Sequence, residues 1–292
     1  MAQPTTRRRS SARSTATDDT AAIQRALDEA ADVRGTVTFA PGTYLCSTLK
    51  VPSHVGLAAH PMWSYRGFGG AILRLADERA PCLLDVTGAI GARADGLCLD
   101  GGDLGDCIHG ILLDRPRPGS KEDTLHVENC RIAGFSGDGI RLGLVWLFTV
   151  RHCMVGHNGG CGLWVHGCDG FILDNWFSGN GGAGFGAYDG SASITMTGNR
   201  VEWNRAGGVV VHGGSRYNIT GNYVDRSGGP GLVLLPGKED QGNQTFAVTG
   251  NLFWRSGKPE WTDPDGYESC HVRLNHVRGM TFVGNTLQAG QD

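Results

Sequence analysis

Short apolar runs alternate with glycine- and asparagine-rich turns along most of the chain. Within these runs every second position tends to be apolar, as in Thr-Met-Thr at 195–197 and Asn-Ile-Thr at 218–220. Such alternation is typical of a β-strand that buries one face. Glycine supplies 47 of the 292 residues, which suits a chain that turns sharply and often. The pattern predicts an all-β protein.

The strands follow one another with a regular period. Each repeat contains one short phrase that ends at an anchor residue. The anchors are Asn129, His152, Asn175, Asn199, Asn222, Asn251 and Asn285. Successive anchors lie 23 or 24 residues apart in the first four intervals, and 29 and 34 residues apart in the last two. A period of this length built from strands predicts a β-solenoid, in which equivalent strands pair about 4.8 Å apart. We expect about ten coils by repeat count.

The anchor asparagines have a structural interpretation. An Asn at a bend can bond the backbone of the turn and the equivalent Asn of the neighbouring coils. We interpret the series as a hydrogen-bonding ladder and His152 as a tolerated interruption of it. Cys130 and Cys153 each follow an anchor, so we expect them to stack on adjacent coils as reduced thiols.

One segment departs from the strand pattern. Residues 18–31 begin with Asp and Thr, which favour a helix N-terminus, and carry Ile23 and Leu27 at helical spacing. The open end of a solenoid exposes apolar core and unpaired strand edges. We predict that this helix, within a cap region at 17–45, covers the N-terminal end.

We predict a single domain that spans residues 17–292. Three stretches within it depart from the repeat pattern. Residues 58–80, rich in aromatic residues and glycine, form either a loop packed over the first coils or part of a binding wall. Residues 236–244 and 258–269 lengthen two late repeats, and we expect these loops to wall one groove. Residues 1–16, rich in Ser, Thr and Arg, are interpreted as a disordered leader.

The opening of the domain resembles that of a known family. Its phrases are Asp-Asp-Thr-Ala-Ala-Ile-Gln at 18–24, Gly-Thr-Val at 35–37 and Ala-Pro-Gly-Thr-Tyr at 40–44. Together with the repeats, they are similar to the pectate-lyase-like superfamily, which includes polysaccharide lyases, polygalacturonase-type hydrolases, uronan epimerases and phage tailspikes. The resemblance implies a single-stranded right-handed parallel β-helix that acts on a poly- or oligosaccharide. The Asn-Thr-Asp and Gly-His-Gly phrases of the polygalacturonase type are absent.

Composition narrows the possible partners. The chain has 26 basic and 29 acidic residues and a net charge of −3, so no basic footprint for nucleic acid is visible. No apolar run is long enough to cross a membrane. Arg7 and Arg8 are not followed by an apolar segment, so we expect no intact signal peptide, and the protein is either cytoplasmic or exported with its signal absent. The nine cysteines show no metal-binding spacing, and we predict neither metal nor cofactor.

Candidate chemistry follows from the strand that closes each coil. Because neighbouring positions point to opposite sides, outward side chains form columns that run from coil to coil. The first outward column is predicted to contain Arg141, Trp164, Val210, Val233 and Arg273. The second is predicted to contain Asp114, His166, Tyr188, His212 and Asn275.

The second column brings proton-transfer groups together. His166, Tyr188 and His212 would stand on successive coils about 5 Å apart. Imidazole titrates near neutral pH, and a phenol can act as acid or base where cations lower its pKa. We predict that His166 or His212 abstracts the proton α to a uronate carboxylate while Tyr188 protonates the leaving oxygen. Arg141 or Arg273 would neutralise the carboxylate.

Further side chains would complete this site. Asp189 follows Tyr188 at the strand end and is also a catalytic candidate. The candidate substrate contacts are Trp164, Arg273, Lys238 and Asp114. This chemistry is that of a polysaccharide lyase or uronan epimerase. The alternative is that the column is solvated surface with lateral stacking between side chains.

A carboxylate pair supports a second hypothesis, a glycoside hydrolase or a glycosyl-transferring enzyme. Glu202 and Asp225 are each three residues past an anchor, on adjacent coils, and a glycosidase needs one carboxyl as acid and one as base or nucleophile. The alternative is a surface with salt bridges to Arg226 and Arg255. A third hypothesis is a non-catalytic glycan-binding or structural β-helix. In that case outward aromatic residues such as Trp203 would contact sugar or a homo-oligomer interface.

Overall fold

The computed structural model describes residues 18–257 and 270–289, which form a parallel β-helix of ten coils. Each complete coil contributes one strand to each of three faces, and strands pair in parallel with their equivalents in the next coil. The predicted right-handed parallel β-helix is confirmed. The leader at 1–16 and the loop at 258–269 lie outside the described residues.

The bounds of the strands follow this three-fold arrangement. The first face contains β1 (Thr36–Thr38), β4 (Gly56–Ala58), β7 (Arg93–Asp95), β10 (Leu125–Glu128), the second halves of β12 (Ile140–Arg151) and β14 (Leu163–Leu173), β17 (Ala192–Thr197), β20 (Ser215–Thr220), β23 (Asn243–Thr249) and β26 (Val277–Val283). The second face contains β2 (Gly42–Cys46), β5 (Ala71–Leu75), β8 (Cys98–Leu104), β11 (Arg131–Phe135), β13 (Met154–Gly156), β15 (Trp176–Ser178), β18 (Arg200–Glu202), β21 (Tyr223–Asp225), β24 (Leu252–Trp254) and β27 (Thr286–Gln288). The third face contains β3 (Leu49–Lys50), β6 (Cys82–Asp85), β9 (His109–Leu113), the first halves of β12 and β14, β16 (Ala183–Ala187), β19 (Gly207–His212), β22 (Leu232–Leu235) and β25 (Val272–Leu274).

Helix α1, Thr20–Val33, closes the N-terminal end of the solenoid, as predicted. Its apolar face buries Ile23 and Leu27 in the same hydrophobic cluster as the core of the coils. The chain before the helix is fixed to the first coil, because the backbone N–H of Leu45 donates to Asp19 Oδ2 at 3.0 Å. In the part of the chain that is described, no helix is long and apolar enough to cross a membrane.

The asparagine ladder begins later than the repeats suggest. From Asn175 onward each side-chain amide donates to the next Asn of the ladder, beginning with Asn199 Oδ1 at 3.0 Å. Cys153 occupies the preceding ladder position, since its backbone N–H donates to Asn175 Oδ1 at 2.9 Å. The prediction that Asn129 belongs to the ladder, with His152 as an interruption at a ladder position, is therefore wrong. They lie one residue earlier, at the left-handed position of the turn, with φ of 54° and 52°.

A second ladder occupies the turn between the second and third faces. The side-chain amide of Asn158 donates to Asn180 Oδ1 at 3.0 Å, and that of Asn180 donates to Asn204 Oδ1 at 2.9 Å. The sequence analysis missed this ladder. Its signal is the Asn-Gly-Gly phrase at 158–160, repeated at 180–182.

None of the nine cysteines, all of which are described, forms a disulfide. Cys130 and Cys153 are buried and occupy equivalent positions of adjacent coils, as the sequence indicates. Burial raises the pKa of the Cys130 thiol well above its ordinary value. These side chains therefore act as small apolar residues of the core.

Residues 59–70, here called the strap, cross the second face from the second coil to the sixth. Trp63 donates through Nε1 to the carbonyl oxygen of Asn129 at 2.7 Å. The ring of Tyr65 stacks on Trp176 with centroids 4.5 Å apart. The part of the predicted 58–80 insertion that forms the strap thus packs over the coils, and its contacts lie on a different face from the candidate site below.

Candidate functional site

The third face carries the two outward columns that the alternation predicts. Strand register places the members of the first column on successive coils: Arg141, Trp164, Gly186, Val210, Val233 and Arg273. The second column contains His166 opposite Gly143 and, on later coils, Tyr188, His212 and Leu235. Gly186 and Gly143 have no side chain, so each leaves a gap in its column. The prediction did not include these gaps.

The gap at Gly186 changes the arrangement of the site. The ring of Tyr188 leans over this glycine, so that a Cβ on Gly186 would lie 2.8 Å from Cε2 of Tyr188. Tyr188 therefore stacks on Trp164 with ring centroids 5.6 Å apart, and on His212 with centroids 5.1 Å apart. Arg141 adds a fourth layer, its Cζ lying 3.8 Å from the centroid of Trp164. We call Arg141, Trp164, Tyr188 and His212 the ring stack.

A groove of about 270 Å³ opens beside the ring stack. It is lined by Tyr188, His212, Val210, Val233, Leu235, Arg273, Ala206, Gly229 and Pro230. Val210 and Val233 form an apolar floor and cluster with the buried side chains of Cys161 and Ala183. The groove has two aromatic rings at one end, an apolar floor, and the guanidinium of Arg273 at the other end. Such a lining suits a sugar ring, which has both apolar and polar faces.

The electrostatic environment of Tyr188 favours its protonated form. Burial raises the pKa of the phenol above its ordinary value, and the neighbouring Cys161 thiol, 4.0 Å from the hydroxyl, acts in the same direction. The positive charge of Arg141 lowers the pKa, but by less than burial raises it. At neutral pH the phenol of Tyr188 is therefore protonated, contrary to the expectation that cations lower its pKa.

His166 occupies the predicted column but is not a member of the ring stack. Burial lowers the pKa of its imidazole, the carboxylate of Asp189 raises it and the ammonium of Lys238 lowers it. Asp189 and Lys238 form an ion pair at 3.1 Å, which joins the loop at 236–244 to a turn two coils earlier. His166 is thus beside this ion pair, whereas His212 lines the groove.

The four predicted substrate contacts occupy different places. Trp164 lies inside the ring stack and Arg273 lines the far end of the groove. Lys238 is exposed and paired with Asp189. Asp114 is exposed three coils before Tyr188, where its backbone N–H donates to Thr87 Oγ1 at 3.0 Å, and it does not line the groove.

The alternative carboxylates lie on the second face. Glu202 and Asp225 pair on adjacent coils, as predicted, but only 4% and 0% of their surfaces are exposed. Glu202 accepts hydrogen bonds from Arg200 Nε and Trp176 Nε1, both at 2.9 Å. Asp225 accepts hydrogen bonds from Arg226 and Arg255. Their oxygens thus bind arginine side chains in buried ion pairs, and neither residue lines the groove.

The sequence analysis missed Asp138, whose carboxylate lies beside Arg141. Asp138 Oδ2 accepts a hydrogen bond from Arg141 Nη1 at 2.9 Å, and Oδ1 accepts one from the backbone N–H of Cys161 at 2.7 Å. The spacing of Asp138 three residues before Arg141 was the available signal. Across residues 18–257 and 270–289, no group of three or more His, Cys, Asp or Glu side chains is arranged to hold a metal ion.

Comparison with protein families gives one match. The family described as "Right handed beta helix region" matches residues 119–201 and 139–289, which together cover more than half of the chain. No curated protein matches the sequence.

Several solved structures are similar to this one. The A-module of a mannuronan C-5 epimerase from Azotobacter vinelandii is 16% identical, with a TM-score of 0.67 over 93% of this chain and 92% of that chain. A DFA-IIIase variant from Arthrobacter chlorophenolicus, in complex with DFA-III, is 16% identical, with a TM-score of 0.60 over 91% and 71%. Tailspike protein 2 of an Escherichia coli bacteriophage is 14% identical, with a TM-score of 0.67 over 84% and 34%. At these identities the likeness shows a shared fold.

Proposed function

This chain belongs to the right-handed β-helix family, and from that premise we propose that it is a carbohydrate-active enzyme whose poly- or oligosaccharide substrate lies in the groove of the third face. The observation that carries the proposal is the contact between Tyr188 and His212 at the end of this groove. It joins a phenol that stays protonated to an imidazole that can accept a proton. The similar structures that include a mannuronan C-5 epimerase and a DFA-IIIase bound to DFA-III support a sugar substrate.

The proposed reaction is β-elimination from a uronate. His212, acting as the base, takes the proton α to the carboxylate, and the electrons of that C–H bond form the new C=C bond. The bond to the leaving oxygen breaks, and this oxygen takes the phenolic proton of Tyr188. The imidazolium of His212 then returns a proton to the phenolate, which restores both groups. Arg273 lines the groove and would bind the carboxylate of the substrate.

Epimerisation needs the same first step. If a proton returns to the carbanion from the opposite face before the leaving oxygen departs, the stereocentre inverts and the chain stays intact. His212 lines the groove and His166 does not, so we assign proton abstraction to His212. The ion-paired burial of Glu202 and Asp225 gives no support to hydrolysis by that pair.

The test is a screen of the purified protein against uronic-acid and neutral polysaccharides. Three signals are followed: ultraviolet absorbance of the unsaturated product, reducing ends, and the proton spectrum of the intact chain. Absorbance rising with reducing ends identifies elimination, and a changed spectrum without cleavage identifies epimerisation. Reducing ends without absorbance contradict the proposed chemistry and favour a hydrolase. Binding without any of the three signals contradicts catalysis and favours a glycan-binding β-helix.

A further inference from the structure

Asp138 is a buried carboxylate at the base of the ring stack, with 6% of its surface exposed. Both of its oxygens have partners, Arg141 Nη1 on one and the backbone N–H of Cys161 on the other. Its own backbone N–H donates to Nδ1 of His109 at 2.9 Å. The carboxylate is therefore held on both sides and has little freedom to move.

Arg141 makes two contacts that fix its plane. One edge donates to Asp138, and the face of the guanidinium lies 3.8 Å from the ring centroid of Trp164. An arginine in this position is neutralised by its carboxylate, so its charge is not available to an acidic ligand. A guanidinium without the carboxylate would be drawn to water or to a ligand anion and would leave the ring.

The contacts continue without a break from Asp138 to the groove. Arg141 covers Trp164, Trp164 stacks on Tyr188 and Tyr188 stacks on His212, so that four successive coils are joined. The ring of Tyr188 fills the space above Gly186, and Trp164 stacks against it from the preceding coil.

We propose that Asp138 is the positioning residue of this site, which holds Arg141 against Trp164 and so sets the pose of Tyr188 at the groove. The same pairing makes the ring-stack end of the groove select sugar units without a negative charge. This inference rests on the proposed function, since it assigns specificity to the same groove.

Asp100 offers a matched control. It is also 6% exposed, and its carboxylate accepts hydrogen bonds from Arg74 Nε at 2.7 Å and from the backbone N–H of Gly102 at 2.9 Å. It thus has the same pair of partners as Asp138, an arginine and a backbone N–H, but on the second face. Asp138→Asn and Asp100→Asn each remove one buried charge and release one arginine.

The experiment measures binding of neutral and uronic-acid oligosaccharides of equal length by calorimetry. In Asp138→Asn we expect the ratio of acidic to neutral affinity to rise roughly tenfold, because a released guanidinium gains a charge-assisted bond to a carboxylate. Adding Arg141→Gln should abolish that rise. Asp100→Asn should leave the ratio at its wild-type value. An unchanged ratio in folded Asp138→Asn, or an equal rise in Asp100→Asn, overturns the proposal.

A second measurement separates this proposal from the proposed function. The fluorescence of Trp164 is obtained as the difference between each protein and the same protein carrying Trp164→Phe. Loss of the arginine layer should expose the indole to water and shift its emission to longer wavelength in Asp138→Asn but not in Asp100→Asn. If no glycan binds, the function fails while this shift still supports the positioning role. An unshifted Trp164 emission overturns that role even where glycan binds.

Discussion

At the scale of single residues, the conformation of Tyr188 depends on a neighbour that has no side chain. Gly186 lies on the same strand, and the phenol ring occupies the space that a Cβ there would fill. The half-buried ring lies between Trp164 and His212, and its partial burial raises the pKa of the hydroxyl. The packing of this ring therefore determines both the position of the phenolic proton and the pKa of the hydroxyl.

Replacing Tyr188 by Phe removes the proton and keeps the ring. We expect the turnover number to fall by roughly 100-fold or more, since general acid catalysis contributes about 10²–10⁴. Substrate affinity and melting temperature should change little, because the stacking is retained. Kinetics and thermal melts test this. Tyr44→Phe, which removes a hydroxyl that donates to Ala40 in the first coil, is the control, and equal losses in both variants would contradict the role of Tyr188.

His109 gives a residue-scale prediction about stability. Burial lowers the pKa of its imidazole, and this outweighs the carboxylate of Asp138, which raises it. The unfolded chain therefore binds more protons than the folded protein below about pH 6.5. It follows that the free energy of unfolding falls as the pH drops from about 7 to 5, and that stability is fully present above this window.

Urea titrations across this pH range measure the effect. His109→Gln should lose less stability than the wild type on going to low pH, because it has no imidazole to protonate. His60→Gln, a change at an exposed histidine, serves as the control. A pH dependence that is the same in all three proteins would show that His109 makes no contribution.

At the scale of the strand, alternation made the outward columns predictable, because a period of two allows no intermediate orientation. Alternation does not predict side-chain conformation within a column. The ring stack, and the position of His166 outside it, could therefore be seen only in the structure. The burial of Glu202 and Asp225 was not predicted either, since it depends on how closely Arg200 of the same strand and Arg255 of the next coil pair with the two carboxylates. The one-residue error at Asn129 arose because Asn suits both the ladder and the left-handed position before it.

The ladder provides an element-scale prediction. Asn199→Ala removes the oxygen that accepts the backbone N–H of Asn175 and leaves that buried group unpaired. We expect the free energy of unfolding to fall by about 1–3 kcal/mol or more, because further ladder bonds are lost with it. Chemical denaturation measures the change. Asn218→Ala, an exposed asparagine of the first face, should cost less than 1 kcal/mol by the same measurement, a typical surface value of about 0.5.

At the scale of the whole molecule, repeats, cap and fold class were predictable, because each follows from local patterns that recur many times. A solenoid in which each coil contacts only its neighbours unfolds progressively from its ends. The strap departs from that rule. Tyr65 contacts Trp176 and Ser178, more than 100 residues away, across four coils. We predict that it couples the opening of coils that are not neighbours.

Tyr65→Ala tests this coupling. Amide hydrogen exchange in the second to sixth coils should become faster and less uniform, because these coils lose a contact that makes them open together. Tyr223→Ala removes an outward aromatic that packs against side chains of the two adjacent coils, Arg200 and Trp254, and it should change exchange locally. If Tyr65→Ala also has only a local effect, the strap does not couple the coils.

The coil spacing has a consequence for how such a groove changes over evolutionary time. The ring stack, the groove floor and Arg273 are on consecutive coils, each supplying about one outward position per column. Duplicating or deleting one repeat would therefore lengthen or shorten the groove by a single increment of about 4.8 Å, with the side chains still aligned. Substrate length can then evolve through copy number, while the chemistry at Tyr188 and His212 evolves through point substitution.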